Sequence, residues 1–122
     1  MQIEVKGRNL QVTDEIREYI ARRFDRIGKQ VSELAVLELE VIDENVPGEP
    51  IAAEVVLHLK GTQLRAKEVA PDVKHAINLV GDNLERQVKR HRDKRRGRRE
   101  SRAAVEDLRA AATTFEEAPG SA

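Results

Sequence analysis

The residues of this chain best suited to chemistry are its cations. Residues 86–102 carry ten Lys and Arg against two acids, Asp93 and Glu100, a net +8. Residues 1–85 carry eleven cations against sixteen acids, a net −5, and residues 103–122 carry one against four, a net −3. Neutrality and a pI near 6.9 therefore hide a chain polarised along its length. A dense basic run beside an acidic body is the electrostatic footprint of a polyanion binder. Cations near a helix C-terminus also complement the helix dipole. That accounts for two or three charges, not for eight Lys and Arg between Lys89 and Arg99. Like charges four apart on a helix repel, so an anionic partner, RNA above all, is expected to compensate them. Tyr19, Phe24 and Phe115 are the only aromatics, too few to read single strands by stacking bases. The expected contacts are to phosphates and shape.

Other chemistries lack their constellations. His58, His75 and His91 have no companion at ligand spacing, and neither a metal site nor a catalytic base is expected of them. Glu38 and Glu40 fall on one strand face without a cleft to hold them for acid–base work. The glycines are single turn residues and form no phosphate loop. Absence of cysteine excludes disulfides, thiolate sites and a cysteine nucleophile. The expectation is a non-enzymatic protein with no cofactor, metal or small-molecule substrate. No apolar run approaches the ~20 residues that span a bilayer, and no leader pattern opens the chain. A soluble, cytoplasmic location of bacterial type, with no membrane partner, is expected.

The elements that must carry the cations follow from periodicity. Residues 2–6 alternate as a half-buried strand, which Gly7-Arg8-Asn9 breaks. Thr13 offers an N-cap, Asp14 and Glu15 charge the first turn favourably, and Ile16, Ile20, Phe24 and Ile27 make one helical face over about 14–27. Gly28 is expected at the C-cap. Residues 36–42 alternate with Leu37, Leu39 and Val41 on one side, and the turn formers of 45–50 end the strand. Residues 51–60 and 63–69 alternate again about a short turn at Lys60-Gly61-Thr62. The last three strands are expected to pair as an antiparallel meander. Asp72, after Pro71, caps a second helix whose stripe is Val73, Ile77, Val80, Leu84 and Val88. The helix is predicted to outrun its core near Val88. Its last turns then carry Lys89, Arg90, Arg92, Lys94, Arg95 and Arg96 around most of the circumference.

The fold class is thus α+β in the order β-α-β-β-β-α. It is a four-stranded sheet with two helices on one face and the other face wet, the layout of a double-stranded RNA-binding domain. Residues 1–98 are read as one binding domain and 99–122 as a flexible tail or linker, with 101–114 able to form a frayed helix. Arg17, Arg22, Arg23, Arg26 and Lys29 decorate the first helix among interleaved acids, and Arg22, Arg23 and Arg26 are the least balanced.

Two parts of the chain resemble a known family. One is Met1-Gln2-Ile3-Glu4-Val5-Lys6-Gly7 with Val12-Thr13-Asp14-Glu15-Ile16-Arg17-Glu18-Tyr19. The other is Ala70-Pro71-Asp72, Ala76-Ile77 and the run from Leu84 to Lys94. They are similar to the ribosome hibernation promoting factor and ribosome-associated inhibitor A family, over about residues 1–96. The resemblance implies binding to ribosomal RNA phosphates in the small-subunit decoding cleft. Messenger and transfer RNA sites are thereby blocked and translation inhibited in stress or stationary phase. It also implies Arg86, Lys89, Arg90, Arg92 and Lys94 as RNA contacts, with Arg22 and Arg23 on the first helix and Lys67 on the last strand beside them. Family members often carry an aromatic after the aspartate of the second helix; here Val73-Lys74-His75 follows Asp72. Long forms add a C-terminal domain that pairs ribosomes, and pairing by that route is not expected of this chain. The alternatives are a general duplex-RNA module and a protein-interaction regulator using the acidic sheet face or the tail.

Overall fold

The computed structural model describes the backbone of residues 1–116 and the side chains of residues 1–94. Its elements run β1 (Gln2–Arg8), α1 (Asp14–Gly28), β2 (Val36–Asp43), β3 (Ile51–Leu59), β4 (Thr62–Ala70) and α2 (Val73–Glu116). The sheet order is β1-β2-β3-β4. The expected meander is present, with β2–β3 and β3–β4 both antiparallel. β1 joins β2 in parallel, from Gln2 beside Val36 to Arg8 beside Ile42. A parallel neighbour needs a crossover, and α1 supplies it.

Both helices lie on one face of the sheet. Ile20, Phe24 and Ile27 of α1 share a single buried cluster with Ile77, Val80, Leu84 and Val88 of α2 and with Leu37, Leu39, Val41, Val55 and Leu57 of the sheet. Among the described residues none of the buried side chains is polar or charged. Charge is therefore confined to surfaces.

Caps define the helix starts. Thr13 accepts the Ile16 N–H at 3.2 Å, and Asp72 accepts the His75 N–H at 2.8 Å, as N-cap chemistry requires. The expected C-cap at Gly28 is corrected. Gly28 is the last helical residue and Lys29, at φ −74°, is the cap. The helix ends without a left-handed residue.

Glycine matters elsewhere. Leu59 pairs with Thr62 across Lys60 and Gly61, and Gly61 takes φ +78°, the positive value a tight turn asks of its second central residue. A Cβ on Gly7 would stand 2.5 Å from the Leu10 carbonyl oxygen. β1 nevertheless runs through Gly7, where the sequence predicts a break, to Arg8, and the turn falls at Asn9, φ +59°.

The chain divides into two compact units, Met1–Val88 and a second beginning at Lys89. The first ends with the last residue of the buried stripe. α2 is helical across residues 98 and 99, where the sequence reading places its domain boundary, and reaches Glu116. The side chains of Arg95 and Arg96, and residues 117–122 of the expected tail, lie outside the described residues. No helix among the described residues is long and apolar enough to cross a membrane.

Candidate nucleic-acid interface

Within the first unit, α1 and α2 are joined by a polar seam above their shared apolar floor. Lys74 Nζ donates to Glu15 Oε1 at 3.2 Å and sits 5.5 Å from the centre of the Tyr19 ring. Tyr19 Oη donates to Asn78 Oδ1 at 2.6 Å. Arg23 is ion-paired with Asp82, and its Nη1 donates to Glu85 Oε1 at 2.7 Å. The first three rungs, Glu15–Lys74, Tyr19–Asn78 and Arg23–Asp82, share one sequence separation of 59. Each helix contributes every fourth residue, so α1 and α2 run side by side in the same direction and in register.

The seam leaves a basic margin. A groove of about 390 Å³ is walled by Arg22, Arg23 and Arg26 of α1 and by Asp82 and Glu85 of α2. Arg22 and Arg26 are exposed, whereas Arg23 is half-buried. Ion pairs involving cations bring in Arg8, Arg23, Lys29, His58, Lys67 and Lys74. Among the described residues, Arg22, Arg26 and Arg86 thus make no ion pair and remain available to an anion.

The opposite flank of α2 is fixed to the edge strand. Asn83 Nδ2 donates to Glu68 Oε1 at 3.0 Å, and Gln87 Nε2 donates to the Arg65 carbonyl at 2.6 Å. The last buried turn of α2 is therefore tied to the fold through both a side chain and a backbone carbonyl.

In the second unit, Lys89, Arg90, Arg92, Asp93 and Lys94 are exposed and His91 is half-buried. The four cations are helical and, among the described residues, unpaired. They lie on α2, which spans Val73–Glu116.

Lys67 is not brought together with the helix cations. Ala66 beside it belongs to the core under the helices, and alternation sends Lys67 to the helix-free face. There it pairs with Glu44 at 3.5 Å and lies in register with Glu54, itself opposite Glu40. Arg8 is ion-paired with Glu40 on the same face, and His58 Nε2 lies 3.4 Å from Glu38 Oε1. A shallow groove of about 220 Å³ there is lined by Glu4, Glu38, Glu40 and Glu54 with Lys6 and Arg8. Carboxylates outnumber cations in that groove by four to two. Among the described residues no group of three His, Cys, Asp or Glu could hold a metal ion.

Sequence reading missed Asn78, Gly81, Asp82 and Glu85 as partners of Arg23. The separation of 59 finds Asp82 alone; Asn78 and Glu85 lie one turn to either side of it on α2, and only the pairing of the helices makes any of them visible.

The sheet order, the two helices on one face and the exposed cations of α2 define an α+β class with a basic helix end. Residues 3–96 match the family described as Sigma 54 modulation protein / S30EA ribosomal protein, and the chain belongs to that family. It is 28% identical over 94 residues to the ribosome hibernation promoting factor of Azotobacter vinelandii, covering 77% of this chain and 85% of that one. It is 29% identical over 92 residues to the ribosome hibernation promotion factor of Staphylococcus aureus, covering 75% of this chain but 48% of that protein. The chain thus spans about half the length of the staphylococcal relative. Among solved structures it resembles the Thermus thermophilus Protein Y N-terminal domain, with a TM-score of 0.65, 32% identity, and coverage of 75% of this chain and 99% of that one. A ribosomal subunit interface protein from Coxiella burnetii shares the fold, with a TM-score of 0.66 at 16% identity over 76% of this chain and 99% of that one.

Proposed function

We propose that this chain is a cytoplasmic ribosome hibernation factor that binds the small subunit through cations of α1 and α2. The relatives named for ribosome hibernation support the role. The observation that carries the mechanism is the set Lys89, Arg90, Arg92 and Lys94, exposed on α2 within the family match. With Arg86, and with Arg22 and Arg26 of α1, they bind ribosomal RNA phosphates in the decoding cleft. Arg95 and Arg96 extend the set by sequence. Occupancy of the cleft excludes messenger and transfer RNA, which stops translation and keeps an idle ribosome. Residues 1–98 act as the binding domain and 99–122 as the tail. Lys67, paired on the helix-free face, is outside the contact set. Neither a catalytic step nor a cofactor has a place in this mechanism.

A co-sedimentation series tests it. Purified small subunits and vacant ribosomes are spun with the chain over increasing salt, with plain duplex RNA as competitor. Salt-sensitive capture that duplex RNA does not displace is expected. Equal capture by plain duplex would reduce the chain to a general duplex-RNA module.

A further inference from the structure

Arg23 is a cation whose contacts are all with its own fold. Nη1 donates to Glu85, and Nη2 donates to the Asn78 carbonyl at 3.2 Å and is ion-paired with Asp82. The side chain is 19% exposed, far less than the 58% of Asp82. Gly81 makes the seat. A Cβ built there would stand 2.8 Å from Arg23 Cζ and 2.9 Å from Nη2, so the guanidinium fills the space a side chain would take. Glycine inside a helix is less favourable than alanine, and among the described residues the positive-φ glycines are Gly48 and Gly61. Conformational freedom therefore gives no reason for glycine at 81; the room it leaves for Arg23 does.

We infer that Arg23 is a positioning residue that locks α1 to α2 in register, so that its neighbours Arg22, Arg26 and Arg86 meet RNA at a fixed spacing while Arg23 itself touches none. The inference rests on the ribosomal RNA reading. The planar fork of arginine reaches a carboxylate, a second carboxylate and a carbonyl together, which a lysine ammonium cannot reproduce. Holding the cations in place beforehand removes an ordering cost from binding.

The test uses the full chain, small subunits and a salt series, with Gly81→Ala and Arg23→Lys. Both variants keep every charge. Gly81→Ala displaces only the far end of a flexible side chain, and circular dichroism with a urea midpoint checks that each variant is folded. Both are expected to bind about tenfold more weakly, with the slope of log affinity against log salt unchanged. Arg22→Ala, the control for direct phosphate binding, is expected to lower that slope by about 0.7–0.9. The double variant is expected to bind no more weakly than either single one, because both break the same clamp. Wild-type affinity in either folded variant, or a reduced slope in Arg23→Lys, would overturn the inference while the ribosome reading stands. Failure of the wild type itself to bind would remove the ribosome reading, and the inference with it.

Discussion

The Gln87 side-chain amide donates to the Arg65 carbonyl at 2.6 Å and accepts nothing in return from that strand. β4 is an edge strand, whose outer carbonyls need a cover. Gln87 supplies one, one residue before the buried stripe of α2 ends. Gln87→Ala should lower stability by about 1 kcal/mol, the usual worth of such a bond. A urea melt should show a lower midpoint at unchanged slope.

Replacing Lys89, Arg90, Arg92 and Lys94 together by alanine should abolish small-subunit binding. All four are exposed, so circular dichroism and the urea midpoint should stay near wild type. Removing them in turn should lower the salt slope by about one for each phosphate no longer neutralised. Unchanged binding in the quadruple variant would sink the mechanism.

Lys67→Ala should leave small-subunit affinity within about twofold. Its ammonium pairs with Glu44 on the helix-free face, and an exposed pair contributes about 0–1 kcal/mol to stability. A loss as large as that of an α2 cation, measured in the same co-sedimentation series, would move the interface to the sheet.

Phe24→Ala should be severe. Phe24 is fully buried between α1, α2 and the sheet, and such truncations cost about 3–5 kcal/mol. Domains of this size hold only about 5–15 kcal/mol. Thermal melts should show a large drop in midpoint or a chain unfolded at the outset.

Much of the fold was legible because local rules agreed. The alternation that dominates β2 and β3, the stripe from Val73 to Val88 and the caps at Thr13 and Asp72 each identify an element unaided. The exposure of the α2 cations was legible for the same reason, since their stripe runs out of apolar residues at Val88. Pairing between distant elements was not. Nothing in residues 2–8 says that β1 joins β2 in parallel, and nothing near Arg23 names residues 78–85 as its acceptors. Arg22 and Arg23 read alike in sequence, although one is exposed and the other held. Lys67 shows the complementary limit: alternation gives its face, but only the register reveals its acidic surroundings. Gly28 misled because glycine near a helix end usually marks a left-handed cap, and this helix ends without one.

The parallel pairing of β1 has a consequence in time. β3 and β4 meet across Lys60 and Gly61, a closure that a short hairpin completes quickly. Gln2 must wait for Val36, 34 residues downstream, and for the whole of α1 between them. Closing that longer loop is slower and carries a larger entropic cost. During synthesis β1 leaves the ribosome ahead of α1 and β2, stays unpaired with β2 until that strand has followed, and docks onto a helix and strand younger than itself.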